Sequence, residues 1–138
     1  MFIDLDNFKI LNDTLGHNVG NLLLQQVGQR LLNSVREIDT VARLNGDAFV
    51  VLLDDLSNDS HEAIFDAEAV GEKIITTLNQ PYQLAEHTYS NSPSIGMTLF
   101  SGHQFTLDEI IKRADTAMYQ PKGLGAIICS FLTQTYNP

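Results

Sequence analysis

The 138-residue chain has one cysteine, no tryptophan, four prolines, and eight lysines and arginines against seventeen aspartates and glutamates. A lone Cys129 rules out an internal disulfide and reads as a free, buried thiol. Nothing at the start has the make-up of a signal peptide, and no apolar run is long enough to span a membrane. With the single thiol, this points to a reducing, cytoplasmic setting for this segment, leaving open a membrane anchor elsewhere in a longer protein. The formal net charge of −9 argues against a generic electrostatic grip on DNA or an anionic membrane. A phosphate ligand would therefore need local help. There is no low-complexity run, charge block or internal repeat, and 43% hydrophobic residues suffice for one globular core. Residues 1–138 are read as one domain.

Hydrophobic spacing supplies the elements. Phe2 to Leu5 is a strand that starts abruptly, as if the domain lacked an opening element. A short helix from about Asn7 to Leu15 ends at Gly16, and a longer one from Val19 to Val35 carries Val19, Leu23, Val27, Leu31 and Val35 on one stripe, widened by Leu22, Leu24 and Leu32. Arg43 to Leu53, RLNGDAFVVLL, is a hairpin with Asn45-Gly46 at its turn, the pair that best tolerates a type I′ turn. A helix from Ser60, taken as its N-cap, to Leu78 presents Ile64, Val70, Ile74, Ile75 and Leu78. Strands follow at Tyr82 to Ala85 and Thr88 to Leu99, the second interrupted by a loop at SNSPS. Thr106 with Glu109 makes a capping box for a helix to Tyr119, and Ala126 to Phe131 is a final strand. This order predicts an α/β (α+β) domain with a mostly antiparallel central sheet covered by helices.

The chemistry gathers at two strand ends. Asp4 and Asp6 are alternate residues and point to the same side, while Leu5 points to the core. Asp47 opens the strand after the hairpin turn. If those strands are neighbours, Asp4 and Asp47 converge, and two such carboxylates repel unless a cation bridges them. Mg²⁺, held by one or two carboxylates and a ligand's phosphates, is the natural occupant. Lys9 would add a positive charge beside a phosphate. Spacing alone equally allows solvated strand-end carboxylates.

Four ordered motifs add to this. FIDLDNFKILNDTLGHNVGNLLL resembles the DxDxFKxxND, GHxxGD and LL segments of GGDEF domains, and RLNGDAFVVLL sits where that family carries RxGGDEF. PSIGMTLF resembles its SIG strand, and ADTAMYQPKGLG its ADxAMYxAK helix end. The family's opening helix and DxLTxLxNR segment have no counterpart. The resemblance implies a fold like that of nucleotidyl cyclases and polymerase palms, ferredoxin-like, with a five-stranded sheet, flanking helices and a small peripheral hairpin. Active members are diguanylate cyclases that join two GTP into cyclic di-GMP across a dimer. Carried over, it implies Mg²⁺ ligation by Asp4, the Leu5 backbone carbonyl and Asp47. Asp47 would also accept the 3′-hydroxyl proton, with Lys9 at a phosphate and Asn12 on guanine. Asn21 takes the place of the guanine-binding aspartate, Asn45 that of the first signature glycine, Ala48 that of the fourth-position glutamate, and Ala126 that of an arginine, while Lys122 is retained as a substrate contact. Arg36 and Asp39, in REID, match the RxxD product-binding, inhibitory site; an ordinary i, i+3 ion pair fits them as well.

Each departure has a consequence. Asn45 adds a side chain where substrate would lie. Ala48 removes a negative charge from a metal site with few to spare. Asn21 keeps one acceptor where a carboxylate offers two. These losses argue against efficient cyclisation and for a degenerate domain in cyclic di-GMP signalling that binds cyclic di-GMP or GTP and regulates an attached sensor or EAL module. A weakly active diguanylate cyclase and a structural, homodimerising domain without nucleotide are the alternatives. The tail CSFLTQTYNP, 129–138, is read as the start of a linker or a frayed end. His17 would fix its loop, His61, His87 and His103 lie on the surface, and Met97 and Met118 fill the core.

Overall fold

Phe2–Leu5 (β1) is the strand around which the molecule is laid out. The computed structural model describes residues 1–44, 46, 48–54, 56–57, 59–99 and 106–118. After β1 come α1 (Phe8–Leu15), α2 (His17–Ser34), β2 (Thr40–Leu44), β3 (Ala48–Leu52), α3 (Ser60–Leu78), β4 (Tyr82–Leu84), β5 (His87–Tyr89), β6 (Pro93–Gly96) and α4 (Leu107–Met118). Among the described residues the main sheet has the order β2-β3-β1-β6 with all pairings antiparallel, and β4-β5 forms a separate two-stranded sheet. This is the anticipated α/β architecture with its peripheral hairpin. The expected strand at 126–131 lies outside the described residues, as do Met118's side chain, Cys129 and His103.

β3 and β6 are buried on both faces, whereas the edge strand β2 is largely exposed. Ile3, Leu5, Phe49, Val51, Ile95 and Met97 pack with residues of α1, α2 and α3 into one core. Ala48, Val50 and Ser94 are buried as well, and α4, which packs on β1 and β6, buries Ile110 and Ala114. Burial on both sides is why AFVVL and SIGM read as continuous runs instead of alternating ones. Along α2, Val19, Leu23, Val27 and Leu31 are buried as their spacing requires; burying a leucine or valine contributes ~1.5–3 kcal/mol.

Several boundaries differ from expectation for local reasons. Leu32, placed on the α2 stripe, is 55% exposed because it falls one residue past the buried Leu31, at the flank of the helix. The N-cap of α3 is Asp59, not Ser60: its carboxylate accepts the His61 N–H at 2.9 Å, and a carboxylate also suits the positive end of the helix. The buried stripe of α3 runs through Ile74 and Leu78, as read, and through Ala63, Ala67 and Gly71, small residues that a search for large apolar ones passes over, leaving Ile64, Val70 and Ile75 half-buried. The proposed strand Thr88 to Leu99 is two strands in two sheets, β5 and β6. SNSPS is not all loop, since Pro93 and Ser94 belong to β6. Pro93 stands opposite Leu5 in a pair that exchanges no hydrogen bonds, so its missing N–H forfeits nothing there. At α4, Thr106 Oγ1 accepts the Glu109 N–H at 3.2 Å as a capping box requires, while the Glu109 carboxylate accepts the Thr106 hydroxyl at 3.2 Å in place of the backbone N–H.

Arg30 ties α2 to the end of α3. Its guanidinium donates to the carbonyls of Thr77 at 2.9 Å, Gln80 at 2.7 Å and Pro81 at 2.7 Å, and lies 3.7 Å from the centroid of the Tyr82 ring. Tyr82 is fully buried and donates its hydroxyl to Leu78 O at 2.9 Å. Burial pushes the Tyr82 phenol up to about 12, partly offset by the Arg30 charge. Arg30→Ala is expected to lower unfolding stability by about 2 kcal/mol, and Arg30→Lys to recover less than half of that, because one ammonium cannot serve three carbonyls and stack on a ring. Urea unfolding midpoints check this; a lysine variant as stable as the parent would contradict the fork's role.

Candidate functional site

The end of β1 sends its groups in two directions. Val51 N–H donates to Met1 O at 2.9 Å, so odd residues of β1 hydrogen-bond with β3; Asp6 N–H donates to Ser92 O at 3.2 Å, so even residues bond with β6. The Leu5 carbonyl therefore faces the β3 side, where the chain enters β3 after Asp47. Asp4 is half-buried and stands directly opposite Ala48 on β3 and Ser94 on β6. With β3, Asp4 and Ala48 form the kind of pair that exchanges no hydrogen bonds, in which side chains approach most closely. The strand ends that carry Asp4 and Ala48 are thus neighbours in the sheet. Asp47 and Asn45 themselves lie outside the described residues, as do Lys122 and Ala126. Gly46, in the hairpin connection, has φ +73°, a conformation glycine adopts without strain, and its carbonyl accepts from Arg43 Nε at 2.9 Å.

Two helices flank this strand end. Asn7 (φ 61°, ψ 23°) turns the chain into α1 in the left-handed region, and Lys9 is exposed on the first turn. Asn12, half-buried, points its Oδ1 inward with no hydrogen-bond partner among the described residues. A Cβ added at Gly20 on α2 would lie 1.8 Å from that Oδ1, 3.0 Å from Asn12 Cγ and 3.3 Å from Phe8 Cζ. Glycine at position 20 is what lets the Asn12 amide sit between α1 and α2. Asn21, next in the chain, is exposed. The link between the helices is held by backbone, not by His17. Gly16 (φ +93°) donates to Asn12 O at 2.9 Å and accepts from Gly20 N–H at 3.2 Å, while the His17 side chain is exposed. Asn12 on α1 thus packs against Gly20 on α2, the residue before Asn21, and Lys9 shares α1 with Asn12.

Arg36 and Asp39 are paired with each other. Asp39 Oδ1 accepts from Arg36 Nη2 at 2.9 Å and from the Asp54 N–H at 3.1 Å; Oδ2 accepts from Arg36 Nε at 3.1 Å and from Arg36 N–H at 2.8 Å. Arg36 Nη2 also reaches Asp54 O at 2.5 Å. The Arg36 side chain is 52% exposed and that of Asp39 only 1%. This closed unit ties the α2–β2 turn to the chain leaving β3. Burial alone would raise the Asp39 pKa, but the hydrogen bonds from Arg36 and the Asp54 amide, with the guanidinium charge, outweigh it and hold the carboxyl below its ordinary value of 3.8.

Asp6, read only as one more strand-end carboxylate, accepts the Ser94 hydroxyl at 2.8 Å from across the sheet. No short-range pattern in the sequence joins two residues 88 positions apart. Among the described residues, no three His, Cys, Asp or Glu side chains converge on a point. Among them too, no helix is long and apolar enough to cross a membrane.

A family model described as "Diguanylate cyclase, GGDEF domain" matches residues 1–126. The chain is 42% identical over 137 residues to the bifunctional diguanylate cyclase/cyclic di-GMP phosphodiesterase MucR of Pseudomonas aeruginosa, covering 99% of this chain and 19% of MucR. It is 35% identical over 134 residues to the cyclic di-GMP phosphodiesterase NbdA of the same organism, covering 97% of this chain and 16% of NbdA. The crystal structure of the GGDEF domain of TpbB from Pseudomonas aeruginosa superposes with a TM-score of 0.76 at 39% identity, covering 86% of this chain and 71% of that one. The chain thus spans less than a fifth of MucR and NbdA.

The Asp39 linkage has a definite sign. A carboxylate whose folded pKa is depressed contributes stability that is complete above its unfolded value and is lost as pH falls through the folded one. Asp39→Asn is therefore expected to destabilise most at neutral pH, with the gap to the parent narrowing below about pH 4. Unfolding curves from neutral pH down to about pH 3 check this, and a constant gap would contradict it.

Proposed function

Because this chain belongs to the GGDEF family of diguanylate cyclase domains, whose proteins act in cyclic di-GMP signalling, we propose that it is a regulatory module that binds a guanine nucleotide between α1 and α2 without cyclising it efficiently. The observation that carries the reading is Asn12: a buried acceptor without a partner among the described residues, seated where only glycine at position 20 leaves room. An unpaired buried acceptor is worth about 1–3 kcal/mol once a donor meets it. The N1–H and amino edge of guanine supplies such donors, with Asn21 beside it as a second amide.

Asp4, the Leu5 carbonyl and Asp47 would hold Mg²⁺, with Lys9 near a phosphate. The donor set fits an ion held largely by the nucleotide's own phosphates: Asp4 is half-buried at the strand end, the Leu5 carbonyl faces the β3 side, and Ala48 leaves Asp4 without a carboxylate directly opposite it. The ion would supply charge neutralisation at the phosphates. Alignment of two nucleotides for transfer is where the site is poor, since electrostatic stabilisation is the largest part of such catalysis and Ala48 subtracts from it. The retained residues support binding more than turnover. Lys122 remains a proposed substrate contact.

A cyclic dinucleotide at Arg36 and Asp39 is less well supported. The Arg36 side chain is half exposed, but the Asp39 carboxylate already accepts four hydrogen bonds and would have to leave them to reach a ligand. Homodimerisation, and attachment to a sensor or an EAL domain, belong to the same proposal; relatives such as MucR carry both cyclase and phosphodiesterase activities by name.

Calorimetry with GTP plus Mg²⁺, and separately with cyclic di-GMP, tests the reading. GTP is expected to bind, and Asn12→Ala and Gly20→Ala each to weaken it by about tenfold, equivalent to ~1.4 kcal/mol. Cyclic di-GMP binding alone, abolished by Arg36→Ala, would move the site to the α2–β2 turn. Absence of heat with either nucleotide would leave only a structural role.

A further inference from the structure

The two residues between β1 and α1 set the angle at which α1 leaves the sheet, and thereby where Lys9 and Asn12 stand relative to Asp4. Asn7 takes a left-handed conformation, which asparagine tolerates better than other residues with a side chain, and its side chain makes no capping hydrogen bond. Something outside α1 must hold the turn. The contacts come from β6 and the residue just before it: the Asp6 N–H donates to Ser92 O at 3.2 Å, and the buried Ser94 donates its hydroxyl to Asp6 Oδ1 at 2.8 Å. The first α1 hydrogen bond, Leu11 N–H to Asn7 O at 3.1 Å, starts from the residue so fixed. Ser94 is also the register partner of Asp4. One short stretch of β6 therefore locates both the proposed metal carboxylate and the entry to the helix that carries the proposed nucleotide contacts.

We propose that Asp6 is a positioning residue for nucleotide binding, acting through Ser94 to lock the entry of α1 so that Lys9 and Asn12 face the ligand held at Asp4. The proposal rests on the nucleotide-binding reading above and assigns Asp6 no direct contact with ligand or metal. A carboxylate at a strand end beside Asp4 would otherwise be taken for a third metal ligand. The two roles differ in what they require: a ligand role needs the negative charge, whereas the clasp needs only an acceptor at Oδ1. Asn at position 6 keeps the acceptor and removes the charge.

GTP affinity in the presence of Mg²⁺ is compared by calorimetry among Asp6→Ala, Asp6→Asn, Ser94→Ala and the Asp6→Ala/Ser94→Ala double variant. Asp6→Ala and Ser94→Ala are each expected to weaken binding by about threefold to tenfold, the double variant to be no worse than either, and Asp6→Asn to recover most of the loss. Additive losses, or Asp6→Asn as damaging as Asp6→Ala, would overturn the proposal. Amide hydrogen exchange of Leu11, measured without nucleotide, supplies a readout independent of the ligand. It is expected to accelerate in Asp6→Ala and Ser94→Ala and to return toward the parent rate in Asp6→Asn. Unchanged exchange in all variants would overturn the clasp. Failure of the unmodified chain to bind GTP, with accelerated exchange intact, would instead overturn the nucleotide-binding reading and leave the clasp standing.

Discussion

Everything near the candidate site depends on β1 being hydrogen-bonded on both sides. In an antiparallel ladder each residue's backbone groups face one neighbour, and alternate residues face opposite neighbours. At the end of β1 this alternation sorts consecutive residues into different tasks. Asp4 stands between Ala48 and Ser94, the Leu5 backbone faces β3 while its side chain enters the core, and Asp6 faces β6. A shift of register by one residue would put Ile3 and Leu5 on the opposite face and dismantle both core and site. Packing of Ile3 against Phe49 and Ile95 in the core is thus also what keeps the carboxylates in place.

On the proposed reading, the electrostatics favour binding over chemistry. In a chain of net charge −9, an anionic nucleotide needs a cation to approach a strand end that bears aspartates. Three of the described basic side chains are engaged elsewhere: Arg30 on three carbonyls and a ring, Arg36 on Asp39 and Asp54, Arg43 on the hairpin connection. Lys9 is the basic group on α1. Ala48, directly opposite Asp4, lowers the local negative charge, which eases nucleotide approach and weakens metal capture at once.

The sequence revealed much of this and missed a definable part. Family motifs and apolar spacing located β1, the hairpin and α1 to α4 because each is a local pattern of one period and one cap. What failed were features set by distant partners or by small residues. Pro93 and Ser94 looked like loop because proline and serine commonly mark turns, yet the register with Leu5 makes Pro93 harmless in a strand. Leu32 looked like core because it is leucine. Gly20 and Asn12 were legible as motif letters, but the buried amide that explains the glycine needed α1 and α2 side by side. Asp6 shows the limit most clearly, since its partner Ser94 is brought near only by the sheet.

The central claim is that a nucleotide-binding arrangement persists beside a signature that no longer supports efficient cyclisation. The most direct measurement is incubation of the full-length protein with GTP and Mg²⁺ and chromatographic quantification of cyclic di-GMP. The account predicts recovery of intact GTP with no product above the level of an Asp47→Ala variant. Product that accumulates with the parent and disappears in Asp47→Ala would contradict it and establish an active diguanylate cyclase.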